Sequence, residues 1–403
     1  MKKALVLFLS LVLLAGTACS AQQPEAVATT TAPTTVPTAT TTPEEKPAEE
    51  PEEEMTPEEA AYAALEEETY QLLLAMDDPA KEALFWYFSD STEGSLQIET
   101  EGTYADDDSY RKVGRFATIN EMKAATEQLF TKDFCEAHFY RAFSQPEERP
   151  MYKEVDGQLY RNINGGGMGW PWALTDVFQL AYADDQWRVL GMRLEAWGEF
   201  ETWENFVFQY EDGGWKLNHF YGFNPYSNYA DMAKPLLDSS LSVFNWDNIS
   251  DVNSFYLNDF YIYQFIAVPG TDGYPYAPPK GYEGGDAGPG YPVPMDEAVA
   301  NMISLFDNAD PEVLRAMLIE AGQHEYSSMT YEETTDSLTF IITFDPASSV
   351  VVDVVEDGDK VVLQSLIIAK NGKAAYWGYL TAKKTDDGLQ YISNRVVDIP
   401  YED

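Results

Sequence analysis

Apolar and polar positions change period twice along this chain. Thr56-Pro57-Glu58-Glu59 has the order of a capping box, with Thr56 as N-cap and Pro57 at the first helical position. Tyr62, Leu65, Thr69, Leu72, Leu73 and Met76 then follow one helical face. Asp78-Pro79 predicts the start of a second short helix through Leu84, Phe85 and Phe88. Thr118-x-x-Glu121 opens another, with Met122, Ala125 and Leu129 inward, and Thr131 caps the next, where Cys135, Phe139 and Ala142 share a face.

Beyond Met151 the period shortens to two. Stretches rich in aromatic and β-branched residues predict strands over 152–162, 174–182, 187–197, 204–210 and 215–221. Asp156-Gly157, Asp184-Asp185 and Asp212-Gly213-Gly214 supply the turns. The second half repeats the order. Helices are predicted near 231–243, over 295–306, and over 311–320 behind an Asp310 cap. Strands follow at about 338–344, 349–355, 360–369, 374–383 and 389–397, with Asp357-Gly358 and Asp387-Gly388 turns. Helices first and an antiparallel meander afterwards is the α+β pattern. The expectation is two α+β domains, 56–226 and 227–403, each with N-terminal helices on a curved antiparallel sheet. A Gly/Pro/Tyr-rich loop at 269–294 interrupts the second.

The segment before Thr56 follows other rules. Lys2 and Lys3 precede an apolar run from Ala4 to Leu14, then small residues lead to Cys19. The run is too short to span a bilayer. It resembles a bacterial lipoprotein signal, which implies cleavage after residue 18 and lipid on Cys19; an ordinary secretory leader is the alternative. Nine Thr between Thr29 and Thr42, several Pro and an acidic run from Glu44 to Glu54 predict an extended tether over 19–55.

Charge narrows the partners. The chain of 403 residues carries 25 Lys and Arg against 68 Asp and Glu, a formal charge of −43. Residues 69–403 alone carry −33. Nucleic acid is excluded as a partner, because phosphate binding requires basic stripes. A basic partner suits this surface. Two Cys, one in the leader, and three His argue against a disulfide framework, a thiolate metal site or a zinc enzyme. No cofactor or metal is expected.

Catalytic motifs are absent: no G-x-S-x-G, S-x-x-K, H-E-x-x-H, Walker loop or dinucleotide fingerprint occurs. Cys135 and His138 lie three apart on a predicted helix, but Phe134, Phe139 and Phe143 surround them, so a buried thiol beside a partnered imidazole is the better account. Asp106-Asp107-Asp108 and Asp357-Gly358-Asp359 lack EF-hand spacing and read as solvated turns. Carboxylate pairs are too numerous to single one out.

Large amphipathic side chains give the candidate contact surface. Trp170 and Trp172 flank Pro171 directly after Gly165, Gly166 and Gly167, and Tyr274 and Tyr276 sit in the long loop of the second half. Such residues serve sugar stacking or protein docking. A glycine-rich bulge pinned by two buried tryptophans is the alternative.

The run TINEMKAATEQLFTKDFCEAHF, followed by MYKEVDGQLYRNINGGGMGW, resembles the secreted DL-endopeptidase inhibitor (IseA-like) family of Gram-positive bacteria. Its marks here are the Thr118-x-x-Glu121 helix opening, the Phe130-Thr131-Lys132 step, and Asp156-Gly157-Gln158-Leu159-Tyr160 leading into the glycines, within about residues 60–222. The resemblance implies helices against an antiparallel sheet and inhibition of a cell-wall peptidase without catalysis. The sequence thus predicts a monomeric lipoprotein on the extracytoplasmic membrane face, binding a wall peptidase. A non-catalytic module for wall glycan or a small ligand is the alternative.

Overall fold

The computed structural model describes residues 55–88, 93–104, 107–146, 149–163, 172–196, 200–262, 264, 292–325, 327–340 and 348–399. Helix α1 (Pro57–Phe88) starts on the predicted capping box: Thr56 N–H donates to Glu59 Oε2 at 2.7 Å and Glu59 N–H to Thr56 Oγ1 at 3.2 Å. The separate helix expected at Asp78-Pro79 does not form, and α1 runs through Pro79. An interior proline costs about 3 kcal/mol in an isolated helix. Here the turns on both sides bury one continuous stripe, Thr69, Leu73, Met76, Ala80, Ala83, Leu84 and Tyr87, and that packing outweighs the missing N–H.

Helix α2 (Glu93–Leu96) leads to a hairpin that the periodicity does not mark, β1 (Ile98–Tyr104) and β2 (Asp107–Val113). Their sequences, IETEGTY and DDSYRKV, carry too few apolar residues to display a two-residue stripe. In α3 (Ile119–Thr126) Thr118 caps as predicted, accepting from Glu121 N–H at 3.1 Å, while the Glu121 carboxylate reaches Ala117 N–H. The helix after Thr131 changes pitch. It is α for one turn, α4 (Lys132–Phe134), then a π turn over Cys135–Phe139 and a 3-10 turn over Tyr140–Phe143. The changes keep Phe134, Cys135, Phe139 and Ala142 buried. Strands β3 (Tyr152–Val155) and β4 (Gln158–Asn162) meet at Asp156-Gly157, whose φ values of 51° and 73° are the two positive angles of a tight hairpin turn. The sheet order is β1-β2-β4-β3.

Next comes an antiparallel meander of β5 (Trp172–Ala183), β6 (Trp187–Ala196), β7 (Phe200–Glu211) and β8 (Gly214–His219). The second half opens with α5 (Ser227–Leu237), which starts earlier than predicted and gives way to a 3-10 turn over Ser240–Val243. After α6 (Leu257–Tyr261), a small sheet of β9 (Val293–Pro294), β10 (Met329–Glu332) and β11 (Ser337–Phe340) brackets α7 (Met295–Leu305) and α8 (Pro311–Gln323). Asp310 caps α8 as predicted, accepting from Glu312 and Val313 N–H. The strand expected at 338–344 is described only to Phe340. A second meander, β12 (Ser348–Asp357), β13 (Lys360–Ile368), β14 (Ala374–Thr385) and β15 (Gly388–Asp398), closes the fold.

Each meander is buried on both faces, and the side chains alternate accordingly. From the first sheet, Leu180, Leu190, Met192, Phe206 and Phe208 join α1, α3 and the π turn in one core. Their sequence neighbours Ala181, Val189 and Val207 point the other way, onto Val350, Val352, Leu366 and Ile368 of the second sheet. Val351, Val361 and Leu363 pack in turn against α5 to α8. The layers are helices, sheet, sheet, helices. Residues 55–403 form one compact unit with two helix–sheet cores and an apolar seam between the sheets. This mixed helix and antiparallel-sheet architecture is α+β.

Candidate functional site: a cleft beside the sheet seam

Polar groups border the seam where β8 meets β12. Asn218, fully buried, donates from Nδ2 to the Val352 carbonyl at 3.0 Å and accepts from Thr131 Oγ1 at 2.8 Å. Tyr226 donates to Asp133 Oδ2 at 2.6 Å, and Asp353 Oδ1 lies 3.5 Å away. Burial, with Asp133 nearby, raises the Asp353 carboxyl above the usual range. These contacts tie the end of the first meander to the start of the second.

A cleft opens where that tie ends. β6 pairs with β7 from Phe200 to Gln209, whereas β8 pairs with it only from Val207 to Glu211. The chain leaves the ladder at His219 and turns through Tyr221 and Gly222, both at positive φ, towards α5. Between the first half of β7 and α5 lies a space of about 490 Å³. Trp203, Glu204 and Asn205 line one side, Lys234 and Asp238 the other, and His219 reaches it from β8.

The chemistry of these residues is uneven. Trp203 is 50% exposed although it sits on a strand between two layers. Burial alone raises the Glu204 carboxyl above the usual range. Asp238 is also raised by burial, against the pull of Lys234, which bonds it at 2.5 Å. Burial pushes the His219 imidazole down to about 3 despite a hydrogen bond to the Val351 backbone, and its Nε2 is buried with no partner. His138 behaves alike: burial lowers it to about 4, its ring bonds the Asn224 backbone, and Nε2 is unpartnered. It packs edge-on to Phe134 and Phe223. Both histidines are therefore neutral, and His138 packs against Phe223 in the 222–224 turn.

Of the residues singled out in the sequence, Trp172 is described: it begins β5, pairs with Ala196, and packs half-buried against the first core. Gly165, Gly166, Gly167, Trp170, Tyr274, Tyr276 and Cys19 lie outside the described residues. Cys135 is fully buried, and burial pushes its thiol up to about 12, so the protonated form prevails. His324 caps α8 beside the Phe255 ring. Among the described residues, no three His, Cys, Asp or Glu are grouped to hold a metal ion, and no helix is long and apolar enough to cross a membrane.

The cleft escaped sequence reasoning because its walls come from β7, β8, α5 and β12. One signal was present: Trp203 breaks the run of core aromatics by sharing its strand face with Glu201 and Asn205. In chemical terms the cleft offers a flat indole, a carboxyl without a cation, and main-chain groups along a strand edge. No protein-family model matches the chain, and comparisons with curated proteins and with solved structures find no match either.

Proposed function

We propose that this chain is an extracytoplasmic binding protein, held at the membrane by lipid on Cys19 and carried outward by residues 20–55. Its partner in this reading is a basic cell-wall DL-endopeptidase, which it restrains without catalysis of its own. The units 56–226 and 227–403 act as two domains joined at the seam. The observation that carries the reading is the acidic cleft beside an incompletely paired strand. The −33 of residues 69–403 supports it, since such a field draws in a cationic partner and disfavours acidic ones.

The test measures digestion of purified cell walls by a DL-endopeptidase with and without the protein. Inhibition that weakens between 0.05 and 0.5 M salt, roughly a fall in Debye length from above 10 Å to below 5 Å, is expected. Inhibition by a Trp203→Ala/Asn205→Ala variant should be at least about tenfold weaker, the scale of one interface hot spot. Unchanged digestion at all protein concentrations overturns the reading. The half-exposed Trp203 favours a second reading, stacking on wall glycan. In that case the protein sediments with peptidase-free walls and Trp203→Ala does not.

A further inference from the structure

Backbone parity along β7 decides what the cleft presents. Tyr210 N–H donates to the Gln186 carbonyl on the β6 side. The β6–β7 register then continues from Gln209 to Phe200 without a shift. In an antiparallel ladder the N–H and C=O of one residue point to the same side, and successive residues alternate. Even-numbered residues of β7 therefore bond to β6, and odd-numbered residues face away. Glu211 and Gln209 spend that second side on β8, opposite Gly214 and Lys216, and Val207 lies opposite His219. For Asn205, Trp203 and Glu201 no strand is paired there among the described residues. The main-chain donors and acceptors of Trp203 and Asn205 border the cleft instead.

We infer that this free edge of β7 accepts an extended basic segment of a protein partner as an added strand, bonded to the backbone of Glu201, Trp203 and Asn205. The inference rests on the proposed binding role of the cleft and specifies how the partner is held. An unpaired strand edge is a template for another chain, and proteins that do not use such an edge cover, shorten or charge it. Here α5 and Ser349–Val351 of β12 border the cleft of about 490 Å³ beside this edge, and an added strand would lie about 4.8 Å from β7. Charge selects the occupant. Lys234 is engaged by Asp238 and Arg193 by Glu201, whereas Glu204 and Asp231, both lining the cleft, have no ion-pair partner among the described residues. Unbalanced charge at the cleft is thus negative, which suits Lys or Arg on the incoming segment. Trp203 offers its ring to the apolar stem or the cationic head of such a residue.

Amide exchange followed by NMR tests this on residues 55–403 and on the full chain, using an acetylated, amidated octapeptide alternating lysine and valine. In the free protein the Glu201, Trp203 and Asn205 amides exchange fast, while Thr202 and Glu204 are protected by β6. With saturating peptide the three fast amides slow by about tenfold or more, as expected for newly formed main-chain bonds. A peptide N-methylated at alternate residues, or one with glutamate for lysine, binds at least about tenfold more weakly. Asn205→Pro deletes an edge-facing N–H and leaves the β6 ladder intact, so it weakens binding about tenfold. If Asn205→Pro does not fold, the N-methylated peptide decides. Strand addition is overturned if the three amides are already protected in the free protein, if the N-methylated peptide binds equally well, or if peptide binds without amide protection. When it fails in any of these ways but the protein still inhibits the whole peptidase, the proposed function stands. When inhibition is also absent, both fall.

Discussion

The indole of Trp203 lies across Gly191 on the neighbouring strand, so close that a Cβ at residue 191 would stand 2.7 Å from Nε1 and 3.2 Å from Cε2. Gly191 pairs with Asn205, and Trp203 leans over it from the next position on the same sheet face. The glycine is there for space, not for an unusual backbone angle. It lets the ring lie down along the sheet beside the cleft.

Gly191→Ala should therefore lift the ring and disturb recognition more than stability. Overpacking a closed core costs about 1–3 kcal/mol, but a half-exposed ring has solvent to move into, so about 1 kcal/mol or less is expected. Urea unfolding gives the first quantity, and indole fluorescence with partner titration gives the second. Unchanged binding together with a loss above about 3 kcal/mol would show that the ring is a core element.

Asn218 should be worth more than any surface contact between the halves. Replacing it by Ala removes a donor to the Val352 carbonyl and leaves Thr131 Oγ1 without its acceptor, both buried. Leaving buried polar groups unsatisfied costs about 1–3 kcal/mol each. A loss of roughly 2–4 kcal/mol in urea unfolding is expected. Thr131→Val also removes the cap on Phe134 N–H, so in a double-mutant cycle the double variant should lose less than the sum of the two single losses. Strict additivity would mean that the two side chains do not act through one another.

The buried histidines set an acid limit on stability. Folded-state values of about 4 for His138 and about 3 for His219 lie below the ordinary value near 6.5. As pH falls below 6.5 the unfolded chain takes up protons that the folded chain refuses, so stability decreases. Their contribution is fully present above pH 6.5 and is lost progressively towards pH 4 to 3. Between pH 7 and 5 each histidine should account for about 2 kcal/mol of lost stability. Glu204, Asp238 and Asp353 are raised by burial and act in the opposite direction at lower pH. The comparison is therefore between wild type and His138→Gln or His219→Gln. Each variant should show a shallower fall from pH 7 to 5, and parallel curves would refute the buried neutral state.

The proposed anchor gives a prediction independent of the cleft. One acyl chain binds a membrane only marginally, so stable anchoring requires more than one at Cys19. Cys19→Ala should move the protein from membrane to medium on fractionation. Retention at the membrane would leave residues 1–18 as some other kind of segment.

Local order is what the sequence determined about this protein by itself. The caps at Thr56, Thr118, Thr131 and Asp310 form where the residues announce them, since a cap depends on a side chain and an N–H two or three positions away. The Asp156-Gly157 and Asp212-Gly213 hairpins do the same, because a two-residue turn selects its own residues. Alternation of apolar residues marked both meanders for the same reason. Only the tertiary structure decided the rest. Pro79 stays inside α1 because the buried stripe on either side of it packs against a single core. Valines at 189, 207, 350 and 352 look like ordinary strand residues until the two sheets face one another across the seam. The cleft exists because β8 stops pairing at Val207 and is tied instead to β12, through a hydrogen bond between residues 134 apart in sequence. Periodicity reports which way a side chain points from its own backbone. It carries no record of what comes to stand opposite.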